Sequence, residues 1–415
     1  MTAPGQFPLA LDSGEKILKR CVLKVMRAVL GPDSGHGGRV NGSATVRVAA
    51  VTTFADRHDG YRQTSDQRVV AVAVVASSGG PVSGQDKVAV ITGGTAGIGR
   101  ATVREFAHAG YDVAVLARGQ AGLEAARVEV EQAGRRALVV PTDVADADAV
   151  DAATDRVEAE LGPISVWVNV AFAGSLAWFW DTSAAEYQRM TEVTYYGQVN
   201  GTRAALRVMR ARNRGAIVNV SSAMAYRSIP LQSAYCGAKH ATKGFTESVL
   251  TELRASGSRV TIGLVTLPGV NTTQFGWNLN KMSGHPRPVP PIVQPEVCAR
   301  SIRFAAEHPR RNMWVGISTV YTVLGNRVAP LVVDWYLAKT AVKSQQTDRE
   351  LPRWGSNVFD PQDDEVDRGV RGFFSQGAVS HDPVSFVARH RRTTLGLVGV
   401  ATLTATKAVA SRSRR

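Results

Sequence analysis

Three side chains in this sequence have the types and spacing for one proton-transfer task. Tyr235 and Lys239 stand four apart in Tyr235-Cys236-Gly237-Ala238-Lys239, which puts both on one face of a helix. A lysine ammonium held there can draw the phenol below its unperturbed pKa of about 10, so that Tyr235 exchanges a proton with a substrate oxygen near neutral pH. Ser222, thirteen residues earlier, closes the preceding strand, where its hydroxyl can bond that same oxygen. A Tyr-x-x-x-Lys spacing alone usually marks a solvated helix face; its order after a serine-ended strand and a glycine loop makes it informative.

The glycine loop is Thr92-Gly93-Gly94-Thr95-Ala96-Gly97-Ile98-Gly99. Gly93, Gly97 and Gly99 permit a tight turn, close backbone approach to a pyrophosphate and close strand–helix packing, while the following helix offers N–H groups and positive potential. Thr95 and Ile98 complete the loop's candidate cofactor contacts. After the second strand the chain reads Leu116-Ala117-Arg118. An acid there would bond the ribose 2′-hydroxyl of NAD, whereas an arginine pairs with a 2′-phosphate, so NADP is the expected cofactor and NAD the alternative. Asp143-Val144 follows the third strand, where an adenine would rest, although Asp143 equally suits a helix N-cap.

These residues need a scaffold, and the pattern supplies one. From Lys87 onward, short β-branched runs at 88–91, 113–116, 137–140, 165–170, 216–220, 260–265 and 313–315 alternate with amphipathic stretches at 98–109, 121–133, 146–161, 184–211, 233–255 and 295–308. Such alternation predicts an α/β fold, a doubly wound, seven-stranded parallel sheet (Rossmann fold) over residues 86–340.

The 415 residues are 44% hydrophobic and 20% charged, enough apolar material for a large core, which excludes collagen-like, mostly disordered and disulfide-scaffold chains. Cys21, Cys236 and Cys298 lie far apart without metal-ligand spacing, so neither structural zinc nor disulfides are expected. The first residues lack a basic start followed by an apolar stretch, so a cytoplasmic protein is expected.

Residues 1–85 read as a loosely ordered extension, with a basic amphipathic helix at 15–30 and a strand-length run at 69–76 as its ordered candidates. Residues 341–415 read as a basic C-terminal extension, polar and surface-hugging or mobile over 341–374. The net charge is +14, and seven Lys/Arg with no acid fall between Arg389 and Arg415. That tail reads first as a solvated end and second as a peripheral membrane contact; nucleic-acid binding is not expected. The uncharged run 393–406 is too short to span a bilayer.

The motifs taken together resemble the short-chain dehydrogenase/reductase family, firmly over 86–275 and more loosely to about 340, and the stretch through 286–291 and 307–311 is similar to an actinobacterial-type branch. The resemblance implies reversible hydride transfer between nicotinamide and an alcohol or carbonyl. It assigns Tyr235 as acid/base, Lys239 to the nicotinamide ribose, Ser222 to the substrate oxygen, Asn169 to the cofactor edge of the fourth strand, and Pro268-Gly269-Val270-Asn271-Thr272-Thr273 to the carboxamide, with Thr273 as hydroxyl contact. It also implies a homodimer or homotetramer through the helices around Glu192 and Tyr235. Two positions depart from the family pattern. Asn169-Val170-Ala171-Phe172 carries a ring in place of a glycine, and Thr194 replaces the family's fourth catalytic residue, an asparagine. A catalytically impaired nucleotide-binding scaffold is therefore the alternative function. Trp178, Phe179, Trp180, Met224, Tyr226, Phe275, Trp277 and Met282 suggest a bulky apolar substrate; Arg227 and Lys281 are candidates for an acidic group on it or plain surface charges.

Overall fold

The computed structural model describes residues 87–390. The expected helix at 15–30, the run at 69–76, the segment 393–406 and nearly all of the basic tail lie outside them.

Seven parallel strands form the central sheet: β1 (Val88–Thr92), β2 (Asp112–Ala117), β3 (Ala137–Pro141), β4 (Ile164–Asn169), β5 (Ala216–Ser222), β6 (Thr261–Leu267) and β7 (Asn312–Trp314). Their spatial order is β7-β6-β5-β4-β1-β2-β3. Every residue of β1, β2, β4 and β5 is buried, as expected where helices cover both faces and the strands read as continuous apolar runs. The order reverses between β1 and β4, so the crevice at their carboxyl ends is the place where such a sheet binds a ligand.

One face is covered by α1 (Gly97–His108), α2 (Gln120–Gln132) and α7 (Pro295–Glu307), with Phe106, Leu123 and Ile302 in that core. The other carries α3 (Ala147–Glu160), α4 (Ala184–Thr191), α5 (Gly197–Ala211) and α6 (Ser233–Ala255), packed through Val157, Met190, Met209 and Leu253 around Trp167. The expected single helix over 184–211 is divided: a π-turn at Glu192–Tyr196 joins α4 to α5, with the Gly197 N–H reaching Glu192 O. A local widening of this kind re-aims the side chains it carries, and Thr194 is one of them.

Beyond the sheet, α8 (Ile317–Val328) and α9 (Pro330–Ser344) form a hairpin that the sequence pattern did not single out. The chain then runs back across the carboxyl edge of the sheet as a long strap. Val358, Val370 and Phe374 are buried along it, so this stretch hugs the surface by inserting apolar anchors. Ala378–Val379 adds a short parallel strand beside Ile292–Val293, which pairs with Gly269–Val270. The described residues end with α10 (Pro383–Arg389), whose N-cap Asp382 also accepts from the Gly316 N–H at 2.9 Å and so ties this helix to the segment after β7.

Candidate active site

The glycine loop turns from β1 into α1 under tight steric control. Gly93 has φ +66°, and a Cβ on it would lie 2.7 Å from Ala171 Cα. A Cβ on Gly99 would sit 2.0 Å from the Gly93 carbonyl oxygen, so helix and strand can approach only because no side chain intervenes. The close partner of the loop just after β4 is therefore Ala171. The Phe172 ring packs edge-to-face on Tyr235 with centroids 5.8 Å apart.

Ser222 ends β5, and its Oγ accepts from the Met224 N–H at 3.2 Å. Tyr235 stands on the first turn of α6 and is hydrogen-bonded to Ser222. Lys239, one turn on, is buried, with Nζ donating to Val220 O at 2.8 Å and lying 5.6 Å from the centre of the Tyr235 ring. The three side chains that the spacing brought together do converge.

Their electrostatics differ from the sequence expectation. Burial pushes the Tyr235 phenol up to about 12, with the Ser222 hydrogen bond pulling the other way. Burial also brings the Lys239 amine down to about 7. The Lys239 amine is directed at a main-chain carbonyl and burial opposes its charge, so burial and not the lysine sets the direction of the Tyr235 shift. From protein groups alone, Tyr235 is a proton donor through the neutral range.

A single cleft runs from this cluster to the glycine loop. Gly93, Thr95, Gly97, Ile98, Gly99, Arg118, Asp143, Val144, Ser222, Tyr235, Lys239, Pro268, Gly269 and Thr273 all line it. Thr194, Asn169 and Asn271 do not, and each has a physical reason. Asn169 lies beneath the cleft, its Nδ2 donating to Gln198 O, Thr202 and Asn219 while its Oδ1 accepts from Trp167 Nε1. Asn271 is fully buried between Gln294, Ser375 and the Phe374 N–H. Thr194 Oγ1 donates to Ala173 O at 2.8 Å and accepts from Ala173 N at 3.0 Å. One hydroxyl thus satisfies both backbone groups of the residue that follows Phe172, which makes Thr194 a positioning residue.

The cleft fits a nicotinamide dinucleotide on an observation independent of motif: the hydroxyls of Thr272 and Thr273 are buried with no hydrogen-bond partner among the described residues, and both residues line the cleft beside Pro268 and Gly269. Buried polar atoms without partners are costly, and a carboxamide offers both donor and acceptor. Asp143, by contrast, is ion-paired with Arg189 and bonded to the Ala145 N–H.

Of the apolar set expected at the substrate end, Met224, Phe275 and Trp277 line the cleft. Phe179 and Trp180 are exposed at 64% and 73%, Trp180 stacks on Trp178, and Tyr226 packs on Trp314. Arg227 pairs with Asp334 and Lys281 with Glu186, so neither charge is directed at the cleft.

Sequence reasoning missed the strap. Asn357, Pro361, Gln362 and Asp363 line the cleft at its glycine-loop end. Arg118 donates from Nη1 to Phe359 O at 2.5 Å and from Nη2 to Asn357 O at 2.6 Å. The arginine expected to clamp a 2′-phosphate thus has both terminal nitrogens on the strap's main chain. Three N–H groups at the start of α2 are also capped from it, Gln120 N by Asp364 Oδ1, Ala121 N by Asp364 O and Gly122 N by Asp363 O, each at 3.0 Å. No local pattern signals such contacts, because the partners are more than 200 positions apart in sequence.

Comparison with known proteins agrees with the geometry. Residues 87–284 match the short chain dehydrogenase family model. The uncharacterized oxidoreductase YxnA of Bacillus subtilis is 32% identical over 292 residues, which cover 69% of this chain and 81% of that protein. The chain belongs to the short-chain dehydrogenase/reductase family. As a short-chain dehydrogenase/reductase it is an NAD(P)-dependent oxidoreductase acting on CH–OH groups. Cis-4-hydroxycyclohexanecarboxylate dehydrogenase of Sinomonas cyclohexanicum is 34% identical over 226 residues, 53% of this chain and 89% of that one. A solved short-chain dehydrogenase from Streptomyces avermitilis superimposes with a TM-score of 0.52 at 26% identity, over 62% of this chain and 99% of that one.

Proposed function

We propose that this enzyme interconverts a bulky, mostly apolar alcohol and its carbonyl compound. The observation that carries the reading is the Ser222–Tyr235–Lys239 cluster at one end of a cleft whose other end is the glycine loop. A nicotinamide bound between them supplies or accepts the hydride. The remaining work belongs to the chain. Ser222 and Tyr235 together hold the substrate oxygen; Tyr235 gives its phenolic proton to that oxygen during reduction and takes it back during oxidation. Gly93, Gly97 and Gly99 leave room for the pyrophosphate at the start of α1, while the unpartnered hydroxyls of Thr272 and Thr273 suit the carboxamide. Phe172, Met224, Ile229, Phe275, Trp277 and Val289 give the cleft apolar walls, which favour a substrate with one polar oxygen on an apolar body. The NADP preference expected from Arg118 is not carried into this reading, because the guanidinium is engaged by the strap.

The impaired-scaffold alternative rested on Phe172 and Thr194. Neither ground is supported by the geometry, since the residue packed against Gly93 is Ala171 rather than Phe172 and Thr194 makes two hydrogen bonds to Ala173. Tyr235→Phe decides: turnover on a panel of apolar ketones should fall by about 10²-fold or more while dinucleotide binding persists. Turnover close to that of the unmodified enzyme would refute the assignment.

A groove along α5 and α6, where Val199, Leu206, Phe245 and Val249 lie beside Arg203, Arg207 and Arg210, is the surface we assign to the expected homodimer or homotetramer. Light scattering of Phe245→Asp should show a smaller species. The basic tail expected to make a peripheral membrane contact lies almost wholly outside the described residues; a separate ground for such contact is the α8–α9 hairpin, where Val328, Leu331, Val332 and Trp335 are all at least 60% exposed beside Arg327 and Lys339. Sedimentation with anionic vesicles should weaken in a Leu331→Glu, Trp335→Glu variant; no sedimentation of the unmodified protein would remove this reading.

A further inference from the structure

Asp363 is 6% exposed, and it is set in the wall of the cofactor cleft by a segment about 240 residues downstream of Arg118. Its carboxyl group lies between the glycine loop and the start of α2. It is hydrogen-bonded to Thr95, and it fills the space where a Cβ on Gly119 would fall 1.9 Å from Oδ1 and one on Gly122 2.6 Å from Oδ2. That ground, just past the second strand and beside the glycine loop, is where a dinucleotide-binding fold reads the 2′ position of the adenosine ribose. The strand end itself carries no acid there. The sequence offers Arg118, whose terminal nitrogens are bonded to Asn357 O and Phe359 O.

We infer that Asp363, delivered by the C-terminal strap, is the residue that meets the ribose 2′ position, and that it selects NAD(H) over NADP(H). The inference rests on the oxidoreductase reading above and specifies its cofactor. A ribose 2′-hydroxyl can donate to a carboxylate; a 2′-phosphate would bring negative charge against Asp363. Arg118 changes role accordingly. It anchors the strap that carries the acid, which is a positioning task, and its guanidinium charge draws the Asp363 carboxyl down against the burial that pushes it up.

The test is a titration of the purified full chain with NADH and with NADPH, read by nucleotide fluorescence, and with 5′-AMP and 2′,5′-ADP as competitors that probe the ribose directly. The unmodified protein should bind NADH about tenfold or more tightly than NADPH, and 5′-AMP should compete better than 2′,5′-ADP. Asp363→Asn should shrink the NADH preference at least about fivefold, chiefly by strengthening NADPH. Arg118→Ala should weaken both nucleotides together. Equal or tighter NADPH binding by the unmodified protein would overturn the inference while leaving the oxidoreductase reading intact, as would an Asp363→Asn variant that alters both nucleotides equally. A folded protein that binds neither nucleotide would overturn both. Should Asp363→Asn fail to fold, the competition between 5′-AMP and 2′,5′-ADP on the unmodified protein decides alone.

Discussion

Thr194 keeps a backbone in place with one hydroxyl, donating to the carbonyl and accepting from the N–H of Ala173. Thr194→Val removes both bonds in a nearly isosteric exchange and leaves two buried backbone groups unpaired. We expect kcat to fall about tenfold or more with little change in dinucleotide affinity, and Thr194→Asn, which can also donate and accept, to restore it. A purely structural role would instead lower the melting temperature with kcat unchanged.

The titrating pair gives a second prediction at this scale. Tyr235 is held at about 12, so kcat/KM for carbonyl reduction should be flat from pH 6 to 9, whereas alcohol oxidation, which needs the phenolate, should rise about tenfold per pH unit over that range. An oxidation rate that levels off below pH 9 would contradict this. Lys239 affects stability in the same interval. Its folded pKa, about 7, lies below the unfolded value of 10.5, so between them the unfolded chain binds more protons and stability rises with pH. Lys239→Met should flatten the rise in melting temperature between pH 7 and 10. The residue types and their convergence were legible in the sequence, because helical spacing alone places Tyr235 and Lys239 together. Their pKa values were not, since burial depends on which segments cover them.

At the scale of elements, the strands and the glycine turn were readable from β-branched runs and from the positions of glycines. Gly99 illustrates why: its need for a bare Cα follows from the crossing of α1 and β1. Gly99→Ala would drive a methyl group into the Gly93 carbonyl and should cost about 1–3 kcal/mol in a denaturant melt, with dinucleotide binding weakened in parallel. The π-turn at Glu192–Tyr196 was not readable, because no proline or glycine pair marks it and the apolar pattern continues through it. The start of α2 was equally opaque. Its N-cap, Gly119, has no side chain to offer, and Asp364 serves in its place from the strap. Asp364→Ala should destabilise the protein by about 1 kcal/mol, the usual worth of a cap.

At the scale of the whole molecule, the strap joins parts of the site that the sheet alone leaves apart. Trp354 N bonds to Gly276 O, Asn357 N to Trp277 O, Gly369 O accepts from Gly97 N, and Gly372 N bonds to Asn271 O. It thus touches both walls of the cleft. Arg353 and Arg371 are exposed along it, so trypsin should cut there in the free protein, and NADH should slow the cutting as the cleft fills. Unchanged cleavage at saturating NADH would show that the strap does not respond to the nucleotide. The polar, acid-rich composition of 341–374 gave no sign of this placement, because its anchors Val358, Val370 and Phe374 are too widely spaced to form a periodic face.

The contacts of Arg118 with Asn357 and Phe359 also bear on how the enzyme is made. Pairings that close so long a loop form late in folding, and these need residues that leave the ribosome after every strand of the sheet. A nascent chain can therefore complete its sheet and glycine turn before it possesses the acid at the ribose seat. If Asp363 reads the ribose as inferred above, discrimination between the two dinucleotides is acquired only after the whole sheet has been synthesised.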